Sequence, residues 1–116
     1  MSLNRKSDKK SNEKEKFSFV EAEHHEDSCR FAAQGHVSIK EAAVMEHKLE
    51  RAIQAGYKKI VIDMSLVITF TSAGIRVLLS TYKKLKSAGG KLQITNPSEN
   101  IKNVIGMVAL DELLLK

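Results

Sequence analysis

The residues of this chain that could do chemistry are few. His24 and His25 stand beside Glu26 and Asp27 in a polar stretch that superficially resembles a metal cluster. Neighbouring side chains in an extended segment point to opposite sides, and no Cys or His pair elsewhere has zinc spacing. The stretch reads as a solvated turn, His47 reads as exposed, and neither a metal nor another cofactor is expected. Cys29 lies in an apolar run and reads as a buried, inert thiol. Being alone, it excludes an internal disulfide and fits a reducing cytoplasm. Asp63 ends an apolar strand, where a carboxylate could be catalytic. With no second carboxylate in an acid/base role, it reads instead as an acceptor of backbone hydrogen bonds that hold the next loop. Gly89-Gly90 follows a helical pattern rather than opening one, so it is a helix stop and not a phosphate cradle. These residues do not add up to an enzyme.

One serine could carry chemistry performed on it by another protein. Ser72 lies in Thr71-Ser72-Ala73-Gly74, directly before a helical apolar pattern. A hydroxyl in the first turn of a helix sits beside unpaired backbone amides, where the macrodipole favours negative charge. A phosphate there would be tolerated by the chain. It would also place up to about two negative charges on a surface that a partner must approach. Two readings stand on the residues alone: Ser72 as an N-cap worth about 1 kcal/mol, or Ser72 as a phosphate acceptor.

The elements that must position this serine are legible from periodicity. Phe17 and Phe19 begin an alternating strand, His24 to Ser28 form a polar turn, and Cys29 to Gln34 read as a second strand ended by Gly35. Ser38 is a suitable N-cap, with Glu41 where a capping box needs it. Ile39, Ala42, Met45, Leu49, Ala52 and Ile53 then recur on one helical face, closed by Ala55-Gly56. Ile60-Val61-Ile62 reads as a strand buried on both faces, followed by a short loop. Thr71 or Ser72 caps a helix whose core face is Ile75, Leu78, Leu79, Tyr82 and Leu85. Leu92 and Ile94 mark another strand and Asn96-Pro97 a turn. Ile101, Val104, Ile105 and Val108 stripe a third helix, with apolar Leu110 and Leu113 to Leu115 beyond it. The order is β-β-α-β-α-β-α. This is a single α/β domain over residues 17–116, with a mixed, mainly parallel sheet and packed helices.

The chain has 116 residues, room for one modest core, and a net charge of +5. Residues 1–16 hold six Lys or Arg against three Asp or Glu, so this Lys/Ser/Asn/Glu-rich stretch carries most of the excess. It reads as a solvated, disordered basic tail. It has no apolar stretch of the kind a secretory signal needs. No window approaches the 18 or so apolar residues of a membrane-spanning helix. Cytoplasmic residence, no membrane partner and a monomer are therefore expected. A nucleic-acid role for the tail with Arg76, Lys83, Lys84 and Lys86 is the alternative of a different class, but solubility accounts for those charges.

The segment from Lys59 to Gly90 resembles the STAS family, whose best-known members are bacterial anti-sigma factor antagonists. The family pattern is a strand ending in Asp-Leu-Ser, an Asp-Ser-x-Gly turn, Leu-Arg-x-Leu-Leu opening a helix, and Gly-Gly closing it. Here stand Asp63-Met64-Ser65, Thr71-Ser72-Ala73-Gly74, Ile75-Arg76-Val77-Leu78-Leu79 and Gly89-Gly90. Gly35-His36-Val37-Ser38 falls where the family has Gly-Glu-Leu-Asp, and Asn96-Pro97 where it turns after the next strand. The chain departs from the pattern at Thr71, which replaces an Asp, and at His36 and Ser38, which replace Glu and Asp.

The resemblance implies an anti-sigma factor antagonist. It would bind an anti-sigma factor that is itself a serine kinase, be phosphorylated by it at Ser72 (or at Thr71), and be reset by a phosphatase. ATP would belong to the partner. The implied docking surface comprises Thr71, Ser72, Ala73, Gly74 and Arg76, with Gly35, His36, Val37 and Ser38 beside them. The alternative within the family is an interaction module without phosphorylation, a scaffold or the accessory subunit of a transporter.

Overall fold

In the computed structural model, which describes residues 15–107, the four strands lie in sequence order across one sheet. β1 (Ser18–His25) pairs antiparallel with β2 (Ser28–Val37). β2 pairs parallel with β3 (Lys59–Phe70), and β3 parallel with β4 (Lys91–Thr95). A helix joins each parallel pair, because parallel neighbours need a crossover: α1 (Ile39–Gln54) between β2 and β3, and α2 (Ser72–Ser87) between β3 and β4. α3 (Glu99–Met107) follows β4, with Ser98 Oγ accepting from the Ile101 amide at 3.3 Å. The expected order and the antiparallel first edge are both present.

Alternate residues of the strands form the core beneath α1 and α2. Phe19, Cys29, Phe31, Ala33, Ile60, Ile62, Met64, Leu92 and Ile94 are buried, while Arg30, Ala32, Val61 and Asp63 on the opposite face are only half-buried. The Ile60-Val61-Ile62 strand is therefore buried on one face, not on both. It is also longer than its apolar run suggests. β3 continues through Phe70, and β2 through Gly35 to Val37, where a loop and a strand end were expected. Gly35 permits this continuation by adopting φ +90 at an irregularity in the ladder.

α1 buries Ala42, Met45, Leu49 and Ala52 at the expected spacing. Ile39, assigned to the same stripe, is 78% exposed instead. It is the first residue of the helix and lies past the end of the apolar row, so periodicity continued one residue too far. α2 buries Gly74, Ile75, Val77, Leu78, Thr81 and Leu85, with Leu79 and Tyr82 at the margin. Its buried arc is wider than a single stripe because the helix packs against both α1 and the sheet. Both helices stop at glycines of positive φ, Gly56 and Gly89. Ile101 of α3 is fully buried. The expected basic tail and the apolar residues from Val108 onward fall outside the described residues, as do the side chains of Val104 and Ile105.

Candidate functional site

The ends of β2 and β3 place the two predicted docking stretches side by side. Val37 pairs with Phe70, and the Thr71 amide donates to the Val37 carbonyl at 3.0 Å. His36 Nδ1 lies 2.9 Å from Thr69 Oγ1 and its Nε2 lies 3.1 Å from Glu15 Oε1. The site thus sits outside the carboxyl ends of adjacent parallel strands, where α/β sheets commonly carry their function.

Ser72 is the first residue of α2 and is exposed. The N-cap is Thr71, in an extended conformation and without a side-chain capping hydrogen bond. The first intrahelical bond runs from the Ile75 amide to the Thr71 carbonyl at 3.1 Å, so the amides of Ser72, Ala73 and Gly74 lack intrahelical acceptors. The first turn contains no acidic residue. α1 differs in this respect. Both the amide and the hydroxyl of Ser38 donate to Glu41 Oε1, at 3.1 and 2.8 Å. The Ser38 hydroxyl bond holds the Glu41 carboxyl below its ordinary pKa. One helix N-terminus is closed by its own carboxylate, and the other has no such carboxylate in its first turn. The reading of Ser72 as the cap is not realised, because Thr71 occupies that position.

Of the predicted surface residues, His36, Ser38, Thr71, Ser72 and Arg76 are exposed and Ala73 is half-buried. Gly35, Val37 and Gly74 are buried, so they stand behind the surface and shape it. A Cβ on Gly74 would lie 2.7 Å from Phe70 Cζ, and one on Gly35 would lie 2.5 Å from the Glu15 carbonyl oxygen. The small size of Gly74 therefore serves packing against Phe70. Gly35 lets the backbone of Glu15 and Lys16 cross over β2, with Gln34 Nε2 donating to the Lys16 carbonyl at 3.1 Å.

Sequence reasoning missed an apolar rim. β3 carries an extra residue against β2 at two irregularities, between Ala32 and Gln34 and between Gly35 and His36. Its buried positions become Met64, Val67 and Phe70, three apart, and Leu66 and Ile68 turn outward at 59% and 39% exposure. With Ile39 they add large apolar groups to the polar set at this end of the sheet. Alternating apolar content along β3 was the available signal, but the bulges that shift its phase leave no mark in composition.

The other candidates have structural partners. Asp63 lies within β3 and accepts from the Ser65 amide at 2.9 Å, Arg30 Nη2 at 3.1 Å and Asn96 Nδ2 at 3.5 Å. Partial burial pushes its pKa up, but the hydrogen bonds from Ser65, Asn96 and Arg30 outweigh this and hold it below the ordinary value. Cys29 is buried, and burial followed by the Glu21 charge pushes its thiol up to about 11. That makes it unreactive. His24 pairs with Glu21 at 2.9 Å, and no group of metal ligands occurs among the described residues. In the basic stretch Lys84 pairs with Glu50, and Lys86 Nζ sits 5.7 Å from the Tyr82 ring centroid. No helix among the described residues is long and apolar enough to cross a membrane.

The family model of the STAS domain matches residues 19–116. No curated protein sequence matches the chain significantly. Among solved structures, the anti-sigma factor antagonist SpoIIAA in its unphosphorylated form superposes with a TM-score of 0.74 at 18% identity, covering 84% of this chain and 86% of SpoIIAA. The phosphorylated form of SpoIIAA, a Bacillus cell fate determinant, gives 0.68 at 17% identity, over 84% and 89% of the two chains. TM1081 of Thermotoga maritima gives 0.75 at 20% identity over 90% of this chain and 87% of its own. These likenesses are likenesses of fold.

Proposed function

The chain belongs to the STAS domain family, and on that premise we propose that it is a bacterial anti-sigma factor antagonist, a cytoplasmic binding module switched at Ser72. The unphosphorylated chain docks an anti-sigma factor serine kinase through the end of the sheet that carries His36, Ser38, Thr71, Ser72 and Arg76. Ile39, Leu66 and Ile68 supply apolar contact at its margin. The kinase transfers the γ-phosphoryl group of its own Mg-bound ATP to the Ser72 oxygen and takes the hydroxyl proton, releasing ADP. A phosphatase hydrolyses the ester and restores the docking form. The chain itself contributes a substrate hydroxyl and a surface, and no catalytic residue.

The observation that carries this reading is the open N-terminus of α2. Ser72 is exposed there, three amides lack helical acceptors, and no acidic side chain competes in the first turn. A phosphate on Ser72 Oγ would meet those amides and the positive end of the macrodipole. The same phosphate would interpose roughly two negative charges between the partners. That SpoIIAA exists in unphosphorylated and phosphorylated forms on the same fold supports the assignment. Thr71 replaces the family's acidic residue and its hydroxyl is also uncapped, which makes it the alternative acceptor. The same replacement favours a second reading, in which the module binds its partner without phosphorylation.

Capture from a lysate of the host, with the wild-type chain and with Ser72→Asp as baits, tests the proposal. The wild-type bait is expected to retain a protein that phosphorylates it when ATP and Mg²⁺ are added, and the Asp bait to lose that protein. Equal retention by both baits would overturn the switch.

A further inference from the structure

Away from Ser72, a cleft of about 440 Å³ opens between the β1–β2 hairpin and the C-terminal half of α1. This is within the range of small-molecule sites. Its apolar floor is Phe31, stacked on Phe19 at 4.7 Å between centroids, and Ala52, both buried, with exposed Ala55 at its margin. Its polar groups are Lys48 and Arg51 of α1, Glu21 of β1 and Tyr57. Glu21 stands at the register irregularity of β1, between Glu21 and Glu23. Bulges of this kind re-aim side chains beside functional sites.

These groups have unequal freedom. Lys48 Nζ donates to the Phe19 carbonyl at 2.6 Å, and Glu21 is engaged by His24 at 2.9 Å. The guanidinium of Arg51 is exposed and has no ion pair or hydrogen bond among the described residues. Burial, then the Glu21 charge, raises the Tyr57 pKa, so the phenol stays protonated and able to donate. A free guanidinium with a phenol donor suits a carboxylate. The half-buried Tyr57 ring and Ala55, over the floor of Phe31 and Ala52, suit a flat apolar body, and Glu21 can accept from a donor on its far edge.

We propose that this cleft binds a small aromatic carboxylate, held by Arg51 and Tyr57 against Phe31 and Ala52. The proposal is independent of the docking reading, because it uses no residue near Ser72.

The test is a titration of the full-length ¹⁵N-labelled chain with 6-hydroxy-2-naphthoate, followed by amide shifts at constant ionic strength. Saturable shifts are expected at Phe31, along Lys48 to Ala55, and at Tyr57. Arg51→Gln should weaken binding roughly tenfold, and 2-naphthol, which keeps the ring and hydroxyl but lacks the carboxylate, should bind as weakly. Arg51 is exposed, so its variant should fold, and Tyr57→Phe provides an independent loss of one donor. Ser72→Asp should bind like wild type. Absence of saturable shifts, equal affinity for 2-naphthol, or unchanged binding by Arg51→Gln would each overturn the proposal.

Discussion

Gly74→Ala puts two effects of opposite sign at one residue. In an exposed helix position the change would stabilise by about 1 kcal/mol through helix propensity. Here the new methyl would lie 2.7 Å from Phe70 Cζ and 2.9 Å from both Cε atoms. Ordinary carbon contacts lie at about 3.5–4.0 Å, so ring or helix must move by about 1 Å. Phe70 is only 4% exposed and its strand is pinned through the Val37 and Thr71 backbone, which leaves the ring little room. Overpacking of this kind costs about 1–3 kcal/mol. The net expectation is a loss of about 1 kcal/mol, read in urea as a midpoint lower by roughly 0.5–1 M at unchanged slope. Phe70→Leu should relieve the clash, so the double variant should be more stable than the sum of the singles by at least about 1 kcal/mol. A Gly74→Ala midpoint equal to or above wild type, or an additive cycle, would refute the reasoning.

Two further variants probe the surface and the opposite face. Asp63→Asn removes the charge that Arg30 and Ser65 address, and should cost about 1–2 kcal/mol, kept modest because the pair is partly solvated. The folded-state pKa of Asp63 lies below its unfolded value, so its contribution is complete above about pH 4 and lost as pH falls through the folded pKa. Wild type minus Asp63→Asn stability, measured from pH 7 to pH 2, should shrink on acidification. Ile39→Ser should change stability by less than about 0.5 kcal/mol, since the side chain is 78% exposed. It should nevertheless weaken partner binding roughly fivefold or more by calorimetry if the apolar rim is contact surface.

Element order was legible because the first two helices each show their own period and stop: Ala42, Met45, Leu49 and Ala52 before Gly56, and Leu78 and Leu85 before Gly89. The placement of Thr71 and Ser72 beside Val37 was legible for a topological reason. Loops that leave neighbouring parallel strands at the same end must meet. What remained hidden depended on long-range register. The bulges of β3 decide that Met64, Val67 and Phe70 face inward and that Leu66 and Ile68 face outward, and no local propensity reports them. Gly74 and Gly35 were readable as small residues, but their contacts, Phe70 and the Glu15 carbonyl, come from packing. Whether Thr71 or Ser72 caps α2 also needed coordinates, which put Thr71 at the N-cap and Ser72 at the first helical position.

Peptide mapping by mass spectrometry of the chain purified from its own host tests the central claim most directly. A phosphate on Ser72, absent from a Ser72→Ala variant and removed by phosphatase, is the expected result. A chain without phosphate at Ser72 or Thr71 under every growth condition tried, yet still bound to its partner, would contradict the switch.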